Sequence, residues 1–336
     1  GRFDIVTTLN VAKNAVDLSA EAWVPTMEAT AAAEVTADGK VYGQPMQDTS
    51  AVWAIAYNKK IFTDLGLAIP KNWAEFTAVC DAVLASGVTP IYEPVSDGWH
   101  QVLWFAELGA AYDKAEPGLV DALNANTKKF VDSAIMKTAI DQIKEMADKG
   151  YWGDNYMADV YADQPAKMAS GEYAMTLANQ GLPQQVADLN AGLTADDIGF
   201  FVMPIADNQM LNVNPVGPTR FVYSGSKNID AAKQYLAFLA QPENLQYMVD
   251  NVAKFQSLPY SGITPKYAGT VKEFYDMYSE KGTVLQTAVK YVNPQWMEIG
   301  KEIVSVIQGT EDDLTMLGNI DKNRADQATA AQDAAW

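Results

Sequence analysis

Asp38-Gly39-Lys40-Val41-Tyr42-Gly43-Gln44-Pro45, followed by Val52-Trp53-Ala54-Ile55-Ala56-Tyr57-Asn58-Lys59-Lys60-Ile61-Phe62, is the stretch that decides the fold. Asp38-Gly39 predicts a two-residue hairpin turn, whose central residues need positive φ. The apolar run from Val52 to Ala56 is strand-like and ends at Tyr57-Asn58-Lys59, where a short helix begins and runs to Leu65-Gly66-Leu67. A second helix starts at Asn72, with Glu75 three residues on in a capping-box pattern, and Trp73, Phe76, Cys80 and Val83 recur at helical spacing. Thus a hairpin, a strand and two helices follow one another within some fifty residues, as in α/β layering.

The pattern continues outward in both directions. Residues 3–8 are short, apolar and β-branched, a strand signal, and residues 20–33 are expected to be helical with Ser19 as N-cap. Downstream, residues 88–92, 173–177, 198–205 and 220–223 are strand candidates. Val131, Ile135, Ala139, Ile143 and Ala147 recur every four residues, so residues 128–149 should form an amphipathic helix that Gly150 stops. Further helices are expected after Asp230 and over residues 286–308, the latter broken at Asn293-Pro294, with a last helix and a mobile tail over 321–336. The Pro- and Gly-rich segments 93–98 and 212–218 suit hinge crossings between two domains.

Composition bounds the function. A chain of 336 residues that is 49% hydrophobic has material for more than one core. Forty-two acidic against 24 basic residues give a net charge of −18, which repels a phosphate backbone and argues against a nucleic-acid partner. Cys80, the single cysteine, permits no internal disulfide and no thiolate zinc site, and its apolar surroundings predict burial. One histidine, His100, excludes a His-His metal cluster and confines any Ser-His-Asp arrangement to itself. No metal, no cofactor and no catalytic residue is expected, and no run of about 20 apolar residues is present to span a membrane.

The opening order of residues, DGKxYGxP followed by YNKxxFxxLGLxxPxxWxEF, resembles the family 1 extracellular solute-binding proteins, the sugar receptors of ABC importers. The likeness extends through Gly87-Val88-Thr89-Pro90-Ile91 with Gly98-Trp99, through Met168-Ala169-Ser170-Gly171-Glu172-Tyr173-Ala174-Met175, and through Ser226-Lys227-Asn228 to Pro242-Glu243. It implies a two-lobe periplasmic-binding-protein fold (type II-like) with hinge crossovers and a ligand cleft between the lobes. The first lobe is expected over 1–95 with about 224–262, and the second over 96–223 with about 263–336. A third crossing would lie near Pro259. In the family an earlier β-α-β portion precedes the strand expected at residues 3–8, so an N-terminal part is expected to be missing here. The resemblance further implies a secreted, periplasmic or lipid-anchored monomer that delivers a carbohydrate to membrane permease subunits.

Sugars present C–H faces that stack on aromatic rings and hydroxyls that need paired donors and acceptors, so the candidates are rings and amides near the crossings. Trp99 follows Gly98, and Trp53 precedes the strand ending at Tyr57-Asn58. Trp296 follows Pro294, where by resemblance related receptors place a stacking aromatic. Arg220, one of three arginines, can grip hydroxyls or a carboxylate. Asn179 and Gln180 stand where the family commonly has Gly-x-Trp. Gln47 and Asp48 lie on the loop after Pro45. Trp23, Trp73 and Trp104 are expected to serve packing. Two other readings remain open at this level: a binding protein for a polyamine, peptide or iron complex, and a glycosidase drawing on carboxylates such as Glu93 and Asp97.

Overall fold

The computed structural model describes residues 9–46, 52–214, 219–252 and 255–336, with the main chain only at Thr30. The expected strand at 3–8 and half of the crossing at 212–218 therefore lie outside the described residues. The chain divides into two compact units, Gly1–Ala51 with Val213–Tyr267 and Val52–Asn212 with Ala268–Trp336. These boundaries differ from those expected from the sequence. The Pro- and Gly-containing segment 93–98 lies inside the second unit, where Glu93 is wholly buried and hydrogen-bonded to His100 and Trp104.

The second unit is built on a four-stranded sheet. Strands β1 (Ala54–Asn58), β2 (Thr89–Tyr92), β3 (Tyr173–Ala178) and β4 (Ile198–Phe201) lie in the order β2-β3-β1-β4. β1 is antiparallel to both neighbours, with Ile55 opposite Leu177 on one side and Phe201 on the other, whereas β2 and β3 run parallel. Every residue of β3 and β4 is buried, as a sheet covered on both faces requires. Four expected strands thus form here, the last ending at Phe201 rather than at residue 205.

Helix α1 (Trp73–Ala85) begins as its sequence predicts. Asn72 Oδ1 accepts the Glu75 amide at 2.9 Å, and Glu75 Oε2 accepts the Lys71 amide at 2.8 Å, which supplies partners for N–H groups at the helix start. Phe76, Val79, Cys80 and Val83 enter the core, while the half-buried Trp73 donates its indole N–H to Glu145. Helix α2 (Ala134–Asp148) starts later than expected, because Phe130–Asp132 forms a 3-10 turn and Ser133 is the cap. Its buried residues are Met136, Ala139, Ile140, Ile143 and Met146 rather than the every-fourth set. A strict spacing of four drifts about 40° per step around a 3.6-residue helix, so a straight four-residue row slides off the buried face: Ile135 and Ala147 are half-buried, and Val131 precedes the helix and is exposed. Gly150 at φ 71° ends α2, with the Tyr151 amide returning to the Met146 carbonyl.

Helices α3 (Trp296–Ile307) and α4 (Asp313–Ala330) complete the second unit. The chain end is packed rather than mobile. Trp336 lies against Tyr291 and under the guanidinium of the buried Arg324, which donates to the Lys290 and Leu123 carbonyls.

In the first unit, Thr36–Ala37 and Lys40–Val41 form the predicted hairpin, with Asp38 and Gly39 at φ 49° and 73°. Gly43–Pro45 pairs antiparallel with Thr219–Phe221, placing Gln44 opposite Arg220. The helix expected over 20–33 is only Ala29–Glu34, preceded by a 3-10 turn at Val24–Thr26. Pro25 cannot supply an interior amide, and Ser19 is used elsewhere: its hydroxyl accepts the Val41 amide. The core of this unit gathers Leu18, Trp23, Met27, Val222, Leu236, Val249 and Tyr260.

One buried carboxyl in the second unit makes stability pH-dependent. Burial pushes the Glu107 carboxyl up to about 7, partly opposed by Gln286, whose amide donates to it at 2.6 Å. A raised carboxyl keeps its proton in the folded state where the unfolded chain has lost it. The associated stability is therefore present below about pH 4.5 and is lost as pH rises through about 7. The full shift corresponds to about 3 kcal/mol. Urea unfolding across that interval should show stability falling in the wild type and a flatter profile for Glu107→Gln. An unchanged slope in the variant would assign the dependence to other groups.

Candidate ligand-binding surface

Three aromatic rings, each half-buried, meet at one end of the β1–β3 pair. Trp53 lies one residue before β1. Its ring centroid is 5.9 Å from that of Trp99 and 6.2 Å from that of Tyr161, and Trp99 and Tyr161 are 5.0 Å apart. All three pairs are edge-to-face, with interplanar angles of 62–68°. This is a favourable geometry for aromatic quadrupoles, worth about 1 kcal/mol per pair beyond burial. Tyr161 was not among the residues singled out from the sequence. Only its place between Asp159 and Asp163 in a helix-poor stretch marks it, whereas its position is set by a distant contact, the Tyr161 amide donating to Asp97 Oδ2 at 2.6 Å.

The polar residues around the rings are held by the main chain. Gln180 is buried and spent on Val52: its Oε1 accepts the Val52 amide at 3.1 Å and its Nε2 donates to the Val52 carbonyl at 2.7 Å. That side chain extends the β1–β3 ladder beyond its last pair, Ala54 and Ala178, and holds the backbone next to Trp53. Asn179, half-buried, accepts the Gly181 amide and shares a hydrogen bond with the Tyr161 hydroxyl. Burial raises the Tyr161 hydroxyl from its ordinary value, with Asn179 pulling the other way, so it stays a neutral donor and acceptor.

Trp296 opens α3, and its indole N–H donates to the Trp99 carbonyl at 3.2 Å. The approach is close: a Cβ on Gly300 would lie 2.1 Å from the Gly98 carbonyl oxygen. Gln101 donates to the Gly300 carbonyl at 3.0 Å. Gly98, at φ 76°, turns the chain so that Trp99 leaves toward the other rings. Trp53, Trp99, Trp296, Asn179 and Gln180 are therefore brought together within the second unit, and Trp104 is core, as expected.

The first unit carries Arg220, half-buried on Thr219–Phe221, with Nη1 buried and without a hydrogen-bond partner among the described residues. Opposite it, Gln44 donates to the Leu236 carbonyl while its own Oε1 is buried and unpartnered. Gln47 and Asp48 lie outside the described residues. Among the described residues no group of three or more His, Cys, Asp or Glu could hold a metal ion.

The bacterial extracellular solute-binding protein family model matches residues 3–246. A multiple sugar-binding protein of Streptococcus mutans serotype c is 29% identical over 148 residues, which cover 43% of this chain and 34% of that protein, about a third of its length. Among solved structures, a chitin oligosaccharide binding protein superposes with a TM-score of 0.79 at 21% identity, over 97% of this chain and 82% of that one. A sugar transporter of Bacillus licheniformis in complex with stachyose does so with a TM-score of 0.72 at 18% identity, over 94% and 82%. These two structures share the two-lobe fold with this chain. With the family model matching well over half of its residues, the chain belongs to the bacterial extracellular solute-binding protein family.

Proposed function

We propose that this protein is a carbohydrate receptor: it captures a sugar or oligosaccharide outside the cytoplasmic membrane and delivers it to the permease of an ABC importer. The observation that carries this reading is the wall of Trp53, Trp99 and Tyr161, rings left half-exposed and flanked by amides. Sugar C–H faces need such rings, and sugar hydroxyls need neutral groups able both to donate and to accept. The Streptococcus mutans relative, named for sugar binding, supports the same class. Two carboxylates beside the wall are already engaged: Asp97 Oδ2 accepts the Tyr161 amide, and Glu93 bonds His100 and Trp104. That favours a neutral saccharide over a polyamine, and binding over acid-nucleophile chemistry.

In this proposal Trp99, Trp53 and Tyr161 stack on the ligand, Trp296 extends the wall and secures Trp99, and Asn179 bonds hydroxyls. Gln180 contributes by fixing Val52. Arg220 is the candidate contact on the first unit, and Gln47 and Asp48 remain candidates from the sequence. The receptor acts as a monomer, either free after secretion or lipid-anchored.

Trp99→Ala and Trp296→Ala should each weaken saccharide binding by about 1–3 kcal/mol, roughly 5- to 150-fold, with the fold retained. Calorimetric titration checks this, and wild-type affinity in both variants would remove these rings from the site. Gln180→Ala leaves both polar groups of Val52 without their partners and should cost about 1–3 kcal/mol in urea unfolding. Gly300→Ala should lower both stability and saccharide affinity, because the added methyl drives α3 away from the Gly98–Trp99 turn; an unchanged melting midpoint would contradict that packing.

A further inference from the structure

The one histidine of the chain is wholly buried behind the aromatic wall. His100 Nδ1 is 2.7 Å from Glu93 Oε1, and Nε2 is 3.0 Å from the Leu177 carbonyl oxygen. The second oxygen of Glu93 accepts the Trp104 indole N–H at 2.7 Å. The Leu177 carbonyl can only accept, so Nε2 carries a hydrogen and donates it, while Nδ1 and Glu93 Oε1 share the second hydrogen bond. Neither nitrogen is left for a ligand. An apolar side chain of similar volume would leave the Leu177 carbonyl with Gln164 as its side-chain donor and Glu93 with the Trp104 indole.

The neighbours of the imidazole point to a second role. The His100 ring centroid lies 5.2 Å from Trp99, 5.7 Å from Tyr161 and 5.9 Å from Trp53, so one imidazole touches all three rings of the wall. Hydrogen bonds at opposite edges of the imidazole stop it from turning about its own bond. We propose that His100 is a positioning residue: the Glu93 and Leu177 bonds fix the imidazole plane, and that plane sets the pitch of Trp53, Trp99 and Tyr161. The inference rests on the reading of this wall as the ligand surface. A leucine or phenylalanine would supply contact but no directional anchor, and the three rings would then repack against one another.

The test needs no ligand. With one histidine, nitrogen-15 labelling of histidine in the full chain produces a single imidazole spin system. An Nε2–H signal protected from solvent exchange is expected, and a bare Nε2 or a rapidly exchanging N–H there would overturn the assignment. The edge-to-face pair Trp53–Trp99 should produce an indole exciton couplet in circular dichroism, identified by its disappearance in Trp53→Phe. His100→Leu should lose that couplet while keeping its helix signal; a couplet of wild-type size would overturn the proposal. Should His100→Leu not fold, Glu93→Gln decides. Glutamine keeps the volume, accepts from Trp104 and donates to Nδ1, so the ring stays anchored and the couplet should survive. Its loss while the N–H to Leu177 remains visible would show that the wall does not follow the ring. Saccharide titration of the wild type is a separate readout, so failure of the sugar reading is told apart from failure of this one.

Discussion

Strand β2 leaves the sheet at Tyr92, opposite Thr176, while β3 runs on to Ala178, and the carbonyl this frees at Leu177 organises the second unit. A buried carbonyl without a donor costs about 1–3 kcal/mol, so the fold must bring donors to it. Two side chains do so, His100 Nε2 and Gln164 Nε2, each at 3.0 Å. Gln164 also donates to Thr176, whose hydroxyl donates to the Tyr92 carbonyl, so the end of β2 is tied off by side chains. His100 brings Glu93, Glu93 holds Trp104, and Trp99 is carried next to His100 in the chain. On the far side of β3, Gln180 continues the pairing with Val52 and so holds the residue before Trp53. The aromatic wall is a consequence of how one strand end meets its hydrogen-bonding requirements.

Much of this architecture was legible in the sequence because it rests on local signals. Asp38-Gly39 needs a hairpin whatever surrounds it, and Asn72 with Glu75 and Gly150 mark helix ends by their own chemistry. The failures have physical causes too. Residues 20–33 are Ala-rich and look helical, but Pro25 interrupts them and the Ser19 hydroxyl is bonded to Val41, a partner no local pattern reveals. The every-fourth row in α2 overlooked Met136, Ile140 and Met146, because a straight row departs from the true helical face. The segment 93–98 has a hinge-like composition, but its backbone and Glu93 are absorbed into the second unit's core.

The candidate surface was partly legible. Trp99 and Trp53 stand out because glycine and a strand boundary flank them, and Trp296 stands out by family resemblance. Tyr161 was invisible, since what places it is the Asp97 carboxylate sixty-four residues earlier. Gln180 was noticed as an amide replacing an aromatic motif, but its geometry gives it to Val52 rather than leaving it free. A side chain that closes a ladder cannot be distinguished in sequence from one that offers its amide to a ligand. The arrangement is aromatic, with Glu93 and His100 bonded to each other behind the rings. That is the character of a recognition surface, where preorganisation keeps the cost of binding low.

The central claim is that the aromatic wall recognises a saccharide, and calorimetric titration of the full chain against a ligand panel tests it most directly. The panel should hold raffinose-, xylan-, starch- and cellulose-type oligosaccharides together with spermidine and a mixed short-peptide pool. Binding of one saccharide class, with a thermal stabilisation of about 2.7 kcal/mol at a hundredfold excess over its Kd, is the predicted result. Binding of spermidine or peptide with no saccharide bound would contradict it, and would mean that the rings of Trp53, Trp99 and Tyr161 serve a different ligand or the core alone.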